Sequence, residues 1–339
     1  MGKTKWFCPV VLVSLAVIYA TCKELPVKAP VQVIFDTDIA PDYDDVGALA
    51  VLHALADSGE ANILATISSN SYKTTAPVLS IINTYFDRTG MPVGVLKAPA
   101  PSYDCPRKWA DTIISKYPHN IKSNDAAMDA VKLYRKILSS QPDTSVTIIT
   151  VGYLTNLSNL LVSGPDGYSP LDGKELIKKK VKQLVSMAGA MDSTGQGGYE
   201  SNILADIPAA RRVFAEWPTE IILSGHEIGA MISTGMKLIA NQAIQNSPVK
   251  EAYKVAIAYD GTVTGRFSWD QTAVLAGIRG MTPYFNFRKI DMRIREDGKN
   301  EVIDGDRIKY LLTNQRTSEL AGIIEELMMH VPVRDKKQK

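Results

Sequence analysis

From residue 31 onward, short runs rich in β-branched residues alternate with longer stretches whose apolar positions recur every three or four residues. VQVIF (31–35), ANILATIS (61–68), VTIIT (146–150), KQLVSM (182–187) and EIILS (220–224) have the length and composition of strands. VGALAVLHALADSG carries apolar residues at 46, 49, 52 and 55, and AAMDAVKLYRKILSS at 127, 131, 134 and 138, the spacing of one helical face. Gly59 stands where the first of these helices should stop. This alternation predicts an α/β fold: an open, mostly parallel sheet with helices on both faces and a Rossmann-like core. Residues 95–125 and 164–175 are expected to be long loops, and no repeat, low-complexity tract or Pro/Ser linker divides the chain. Residues 31–331 are therefore expected to form a single domain, followed by a basic tail at 332–339.

Composition narrows the function classes. The 339 residues are 45% hydrophobic and 22% charged, ordinary for a globular protein, which excludes a disordered or fibrous chain. Lys and Arg total 38 against 36 Asp and Glu, with no basic stripe interleaved with aromatics, so no nucleic-acid partner is expected. The Lys178–Lys180 run and the tail RDKKQK read as solvated charge. At the N-terminus, Lys3 and Lys5 precede an apolar stretch from Trp6 to Ala20 and then YATC, ending at Cys22. That pattern predicts an export signal over residues 1–22, since roughly 15 apolar residues fall short of a comfortable membrane span. Cys22 resembles the lipid-bearing cysteine of a bacterial lipoprotein cleavage site, with Tyr19 where Leu is usual; the alternative is plain cleavage after Ala20. The expected location is the periplasm or cell surface, with membrane attachment only through a lipid at Cys22. Once Cys8 is removed with the signal, Cys22 and Cys105 remain, too few for a disulfide framework.

Sheets of this kind bind ligands at the carboxyl ends of their strands. Asp36 and Asp38 follow the first strand, Asn70 the second, Thr150, Val151 and Gly152 the third, and Met187–Gly189 and then Gly195–Asn202 the fourth. DTDIAPDYDD, residues 36–45, concentrates five carboxylates in ten positions. Asp42 as a helix N-cap, with Asp44 and Asp45 in the first turn, explains part of this, but a helix end supplies only about half an elementary charge. A cation is the natural counterpart, and carboxylate oxygens without His or Cys favour Ca²⁺ or Mg²⁺ over zinc. Elsewhere, Ser268 and Gln271 form a capping-box pattern around Asp270, and Asn156 reads as a turn or cap residue.

The DTD, the following DD pair and the helix after them resemble the inosine-uridine-preferring nucleoside hydrolases. Further motifs recur in order: Asn70 closing LATISSN, VGYLTNL (151–157), MAGAM (187–191), YESNILADIPAA (199–210) and SWDQTAVL (268–275). The resemblance implies a nucleoside hydrolase-like fold and a calcium site formed by Asp38, Asp45, Asp270 and the Val151 carbonyl. It implies that Asp38 is also the general base toward water, that Asp44, Asn70, Glu200 and Asn202 hold the ribose hydroxyls, and that Asp36 supports the metal ligands from behind. The implied reaction is calcium-dependent hydrolysis of the N-glycosidic bond of a ribonucleoside or related N-riboside, often in a homo-oligomer. A carboxylate-rich pocket suits the positive charge that develops on the sugar.

Two departures stand out. Trp269 occupies the position before the metal Asp where well-known members carry His, and STGQGG (193–198) has no counterpart of a family Asn. An indole is no general acid but offers a flat face, so Trp269 is a candidate for stacking on the base. His119, Tyr199, His226 and Tyr259 are among the other side chains that could protonate a leaving group, and the sequence does not place them relative to the site. A non-catalytic, calcium-dependent riboside binder is the alternative function. A Mg²⁺-dependent phosphohydrolase is a third, disfavoured because Ala40 replaces the Thr or Val usual in the haloacid-dehalogenase-like DxD motif.

Overall fold

The computed structural model describes residues 1–3, 29–97, 101–314 and 316–332. The predicted export segment with Cys8 and Cys22 lies outside the described residues except for its first three, and so does the basic tail beyond Pro332. The strands are β1 (Val31–Thr37), β2 (Ala61–Ser68), β3 (Val93–Val95), β4 (Met128–Asp129), β5 (Val146–Thr150), β6 (Val181–Met187), β7 (Gly197–Gly198), β8 (Glu220–Ser224), β9 (Ser233–Thr234), β10 (Arg266–Phe267), β11 (Phe285–Ile294) and β12 (Asn300–Thr313). Ten of them form one sheet in the order β11-β12-β8-β6-β5-β1-β2-β3-β4, with β7 paired to β12; β9 and β10 form a separate antiparallel pair. Only β7 and β11 run antiparallel to their neighbours in the large sheet, so the expected mostly parallel α/β architecture is present.

Successive residues of each central strand point to opposite faces. Val33 and Phe35 of β1 enter one apolar cluster and Ile34 the other; Val185 and Leu184 of β6 divide in the same way. Helices cover both clusters, which is why these strands read as continuous apolar runs. The chain starts at β1, builds outward through β2, β3 and β4, then returns to place β5 on the opposite flank of β1. Neighbouring connections diverge at that reversal, leaving a crevice at the carboxyl ends of β1 and β5.

The helix Asp44–Asp57 departs from the expected stripe: it is buried almost all round from Asp44 to Leu55. It packs on β2 and against the helices Trp269–Arg279 and Thr317–Met328, and small residues such as Gly47, Ala48 and Ala50 let it fit. Gly59, with φ +81°, lies just beyond its end as expected. The segment 126–140 becomes helical only from Ala130, because the Asp129 carboxylate caps the Lys132 N–H at 3.0 Å.

The two segments expected to be loops contain helices. Trp109–Lys116 forms a short helix that buries Trp109, Ala110 and Ile113, an apolar face too brief to register as a periodic pattern. Gly173–Lys180 is a helix capped by Asp172. The Lys178–Lys180 run is its last turn, where positive charge suits the helix dipole, and Lys180 also pairs with Asp143 at 2.7 Å.

The exits of β1 and β5 are locked together. The Val151 N–H donates to the Asp36 carbonyl at 2.8 Å. A Cβ on Gly152 would lie 2.4 Å from the Asp38 backbone nitrogen and 2.8 Å from its Cβ. Gly152→Ala should therefore push the Asp38 loop away and cost about 1–3 kcal/mol of stability, read as a fall in melting temperature with a displaced Asp38 in the variant's crystal structure. An unchanged melting temperature and loop would refute this coupling.

Candidate active site

β1 carries Asp36 into the interior, where it is fully buried; Oδ2 accepts hydrogen bonds from Tyr134 Oη at 2.8 Å and Asn156 Nδ2 at 2.9 Å. Burial outweighs these bonds and pushes its pKa up to about 7. Asn156 is thus neither a simple turn nor a cap residue: its amide braces Asp36.

Two helix N-termini converge above this layer. The helix Asp44–Asp57 brings Asp44 and Asp45 in its first turn, and Trp269–Arg279 brings Asp270 in its first turn. Carboxylate oxygens of Asp44, Asp45 and Asp270 lie within 4.8 Å of one another, and all three residues are buried. Burial, then the charge of the neighbouring aspartates, raises the pKa of Asp45 and Asp270 well above the usual carboxylate range. The Thr37 hydroxyl donates to Asp45. Asp38 lies outside the trio but lines the same cleft. Its pKa is pushed up to about 8 by burial and then by Asp42, against a lowering hydrogen bond from the Tyr153 hydroxyl. That bond, together with burial and the Asp38 charge, pushes the Tyr153 phenol upward.

Asp42 is not the N-cap; Tyr43 holds that position, with no side-chain cap bond. The turn leads Asp42 outward instead, between Arg107 at 3.1 Å and Arg266 at 2.8 Å. Arg266, not foreseen from the sequence, is the guanidinium that lines the cleft among the described residues. It donates to Asp44 Oδ1 through Nε at 3.1 Å and Nη2 at 3.0 Å, and stacks 5.1 Å from the Tyr43 ring and 4.8 Å from the Trp269 ring. For Asp44, burial still outweighs this pairing and raises the pKa. Nothing in the sequence marked Arg266 beyond its place four residues before Asp270.

The cleft occupies about 480 Å³, and six carboxylates line it: Asp38, Asp42, Asp44, Asp45, Glu200 and Asp270. Its opposite wall comes from the exits of β5 and β6. Glu200 caps the helix Ser201–Ala205, accepting backbone N–H groups of Asn202, Ile203 and Gly189 at 2.7, 3.2 and 3.2 Å. Burial pushes its pKa up to about 7. Asn202 Nδ2 donates to the Val151 carbonyl at 3.0 Å and the Met187 carbonyl at 3.1 Å. Asn70, by contrast, is fully buried and does not line the cleft. Its Nδ2 donates to the Asp38 and Tyr103 carbonyls and its Oδ1 accepts from the Tyr72 and Tyr103 N–H groups, so in this conformation it organises the loops around Asp38.

Trp269 is half-buried on the cleft wall, and its Nε1 donates to the His226 carbonyl at 2.8 Å. The Ser268–Gln271 capping box does not form: Ser268 Oγ pairs with Thr234 Oγ1 at 2.8 Å and Gln271 Nε2 donates to the Tyr253 hydroxyl at 2.9 Å. Of the four side chains available as leaving-group acids, His226 alone lines the cleft. Tyr199 donates to Asp297 at 3.0 Å, His119 Nδ1 contacts the Tyr117 carbonyl at 2.9 Å, and Tyr259 is exposed elsewhere.

The model of the inosine-uridine preferring nucleoside hydrolase family matches residues 33–310. No functionally curated protein matches the chain. Among solved structures, the fold is similar to a plant nucleoside hydrolase (20% identity, TM-score 0.67, covering 88% of this chain and 99% of that one). It is similar to the inosine-uridine preferring nucleoside hydrolase from Bacillus anthracis (16% identity, TM-score 0.66, with the same coverages of 88% and 99%). It is also similar to the purine-preferring ribonucleoside hydrolase from Gardnerella vaginalis (15% identity, TM-score 0.63, again 88% and 99%).

The raised pKa of Asp36 has a measurable consequence. The native state keeps a proton that the unfolded chain releases near its ordinary pKa of 3.8, so this contribution to stability is complete below that value and is lost as pH rises toward about 7. In chelator, stability should fall over that window, with Asp36 accounting for on the order of a few kcal/mol. Asp36→Asn should flatten the urea-midpoint profile between these limits; an equally steep profile in the variant would refute this.

Proposed function

The chain belongs to the inosine-uridine preferring nucleoside hydrolase family, hydrolases acting on N-glycosyl bonds, and from that premise we propose that it cleaves a ribonucleoside or related N-riboside with a calcium ion in this cleft. The observation that carries the proposal is the buried trio Asp44, Asp45 and Asp270, three carboxylates held together on oxygen-only chemistry. That donor set fits a hard divalent cation. Asp45 and Asp270, with Asp38 and the Val151 carbonyl, would hold it. When bound, the ion orients the sugar diol and lowers the pKa of a water.

The chain's own groups supply the rest. Asp38 takes the proton of the attacking water at its carboxylate. Asp44, Glu200 and Asn202 line the sugar subsite, and their negative and amide oxygens stabilise the cationic ribosyl ring as the bond breaks. Trp269 offers its ring to the base, sharing it with the Arg266 guanidinium. Asn70 acts on the sugar only if it exchanges its loop contacts for a hydroxyl. Asp36, braced by Tyr134 and Asn156, steadies β1 beneath the ligands. An export signal at residues 1–22, removed by cleavage after Ala20 or with lipid attachment at Cys22, and homo-oligomerisation complete the proposal, with the activity at the periplasm or cell surface.

A panel of nucleosides incubated with the protein and Ca²⁺ should release ribose, and Asp38→Asn should abolish that release. Saturable riboside binding with no ribose from any member would instead make the protein a binder, and turnover of phosphate esters alone would favour the Mg²⁺-dependent phosphohydrolase. Asp270→Ala should weaken calcium binding about tenfold or more, since a charged ligand of a hard-cation site is gone; unchanged affinity by calorimetry would contradict the ligand assignment. Trp269→Ala should cost roughly 1 kcal/mol or more in nucleoside binding if the indole stacks on the base, and identical KM and turnover would leave it a packing residue.

A further inference from the structure

Departure of a nucleobase requires a proton for its nitrogen, and the cleft contains few groups free to give one. Glu200 accepts three backbone N–H groups. The Tyr153 hydroxyl is committed to Asp38, and Asp42 and Asp44 are paired with guanidinium. Arg266 cannot release a proton.

His226 is different. Its backbone is pinned on both sides: the N–H donates to the Gly189 carbonyl at 2.8 Å and the carbonyl accepts from Trp269 Nε1 at 2.8 Å. The turn behind it sits directly beneath Trp269, where a Cβ on Gly229 would lie 2.3 Å from the Trp269 Cα. The imidazole lies 5.2 Å from the indole with planes 30° apart, and the residue is exposed on the cleft wall. Among the described residues, no hydrogen bond engages its ring. Its position is thus fixed while its nitrogens stay open to solvent and ligand, and imidazole is the side chain that ordinarily exchanges protons near neutrality.

We propose that His226 is the acid that protonates the departing base, with Trp269 as the residue that positions it. The assignment rests on N-riboside hydrolysis in this cleft. As the C1′–N bond breaks, its electron pair passes to the base, which takes the proton of the His226 imidazolium. Water forms the C1′–O bond and gives its proton to Asp38. One water is consumed, ribose and neutral base leave, Asp38 releases its proton to solvent, and solvent returns one to His226.

The test compares two leaving groups on the full chain with Ca²⁺: a nucleoside cleaved by the parent and p-nitrophenyl riboside, whose phenolate departs without a proton. His226→Gln should lower kcat on the nucleoside by about 10²–10⁴-fold, and at least roughly 30-fold more than on p-nitrophenyl riboside. Trp269→Phe, which keeps an aromatic face but removes the N–H to the His226 carbonyl, should show the same selectivity to a smaller degree, in kcat more than in KM. Tyr103 also lines the cleft, so equal losses on both substrates, no loss on the nucleoside, or a loss on the nucleoside in Tyr103→Phe but not in His226→Gln would overturn the proposal. Asp38→Asn should remove both activities, whatever His226 does. If the parent cleaves p-nitrophenyl riboside but no N-riboside, the acid is refuted and only ribosyl hydrolysis in this cleft stands; if it cleaves neither, both fall.

Discussion

Mutual repulsion among buried carboxylates is the constraint around which this molecule is arranged. Burial, and then the charge of neighbouring carboxylates, raises the pKa values of Asp38, Asp45 and Asp270, while for Asp44 burial and Asp42 act against Arg266; each would be costly in ionised form without compensation. Several partial remedies are built in. Two helix N-termini face the cluster, hydroxyls of Thr37 and Tyr153 donate to Asp45 and Asp38, and Arg266 answers Asp42 and Asp44. None neutralises Asp45 and Asp270 with a full positive charge, the part that the proposed function gives to a divalent cation.

The fold supplies the rigidity that holds like charges together. The two helices bearing the aspartates pack against one another and on the sheet, and the first of them is buried almost all round. Below, the bond from Val151 to the Asp36 carbonyl and the close approach of Gly152 to Asp38 join the exits of the two strands flanking the switch point. The charges cannot relax apart without breaking hydrophobic packing, so the protein keeps an electrostatically unfavourable site in a defined shape. Such a preorganised anionic pocket is what a developing ribosyl cation needs, because no reorganisation is required as the charge appears.

The side of the cleft that would meet the base is built on different principles. Trp269, His226 and Arg266 form a contiguous set in which the indole has both an Arg266 guanidinium over its ring and the His226 backbone on its N–H. Arg266 thereby links the base side to the sugar side, since the same guanidinium binds Asp44. A ligand that pulls Asp44 toward its hydroxyls competes with Arg266, and a base that stacks on Trp269 shares the indole with it.

The parallel sheet, a site at the carboxyl ends of its strands and the acidic loop after β1 were legible from the sequence alone, because short β-branched apolar runs, helical spacing and an improbable density of aspartates are local signals. Ordered motifs carried the family and, with it, Asp45 and Asp270 as neighbours. Tertiary structure decided what local pattern cannot encode. It drew Asp42 away from a helix cap to two arginines that lie 65 and 224 residues later in the chain, turned Asn70 to the loop backbone, and set Asn156 beneath Asp36. Of the four candidate acids, it brought His226 to the cleft wall. Each of these outcomes depends on which distant segments the sheet order brings side by side, and hydrogen-bond and charge partners so assembled leave no periodicity in the sequence.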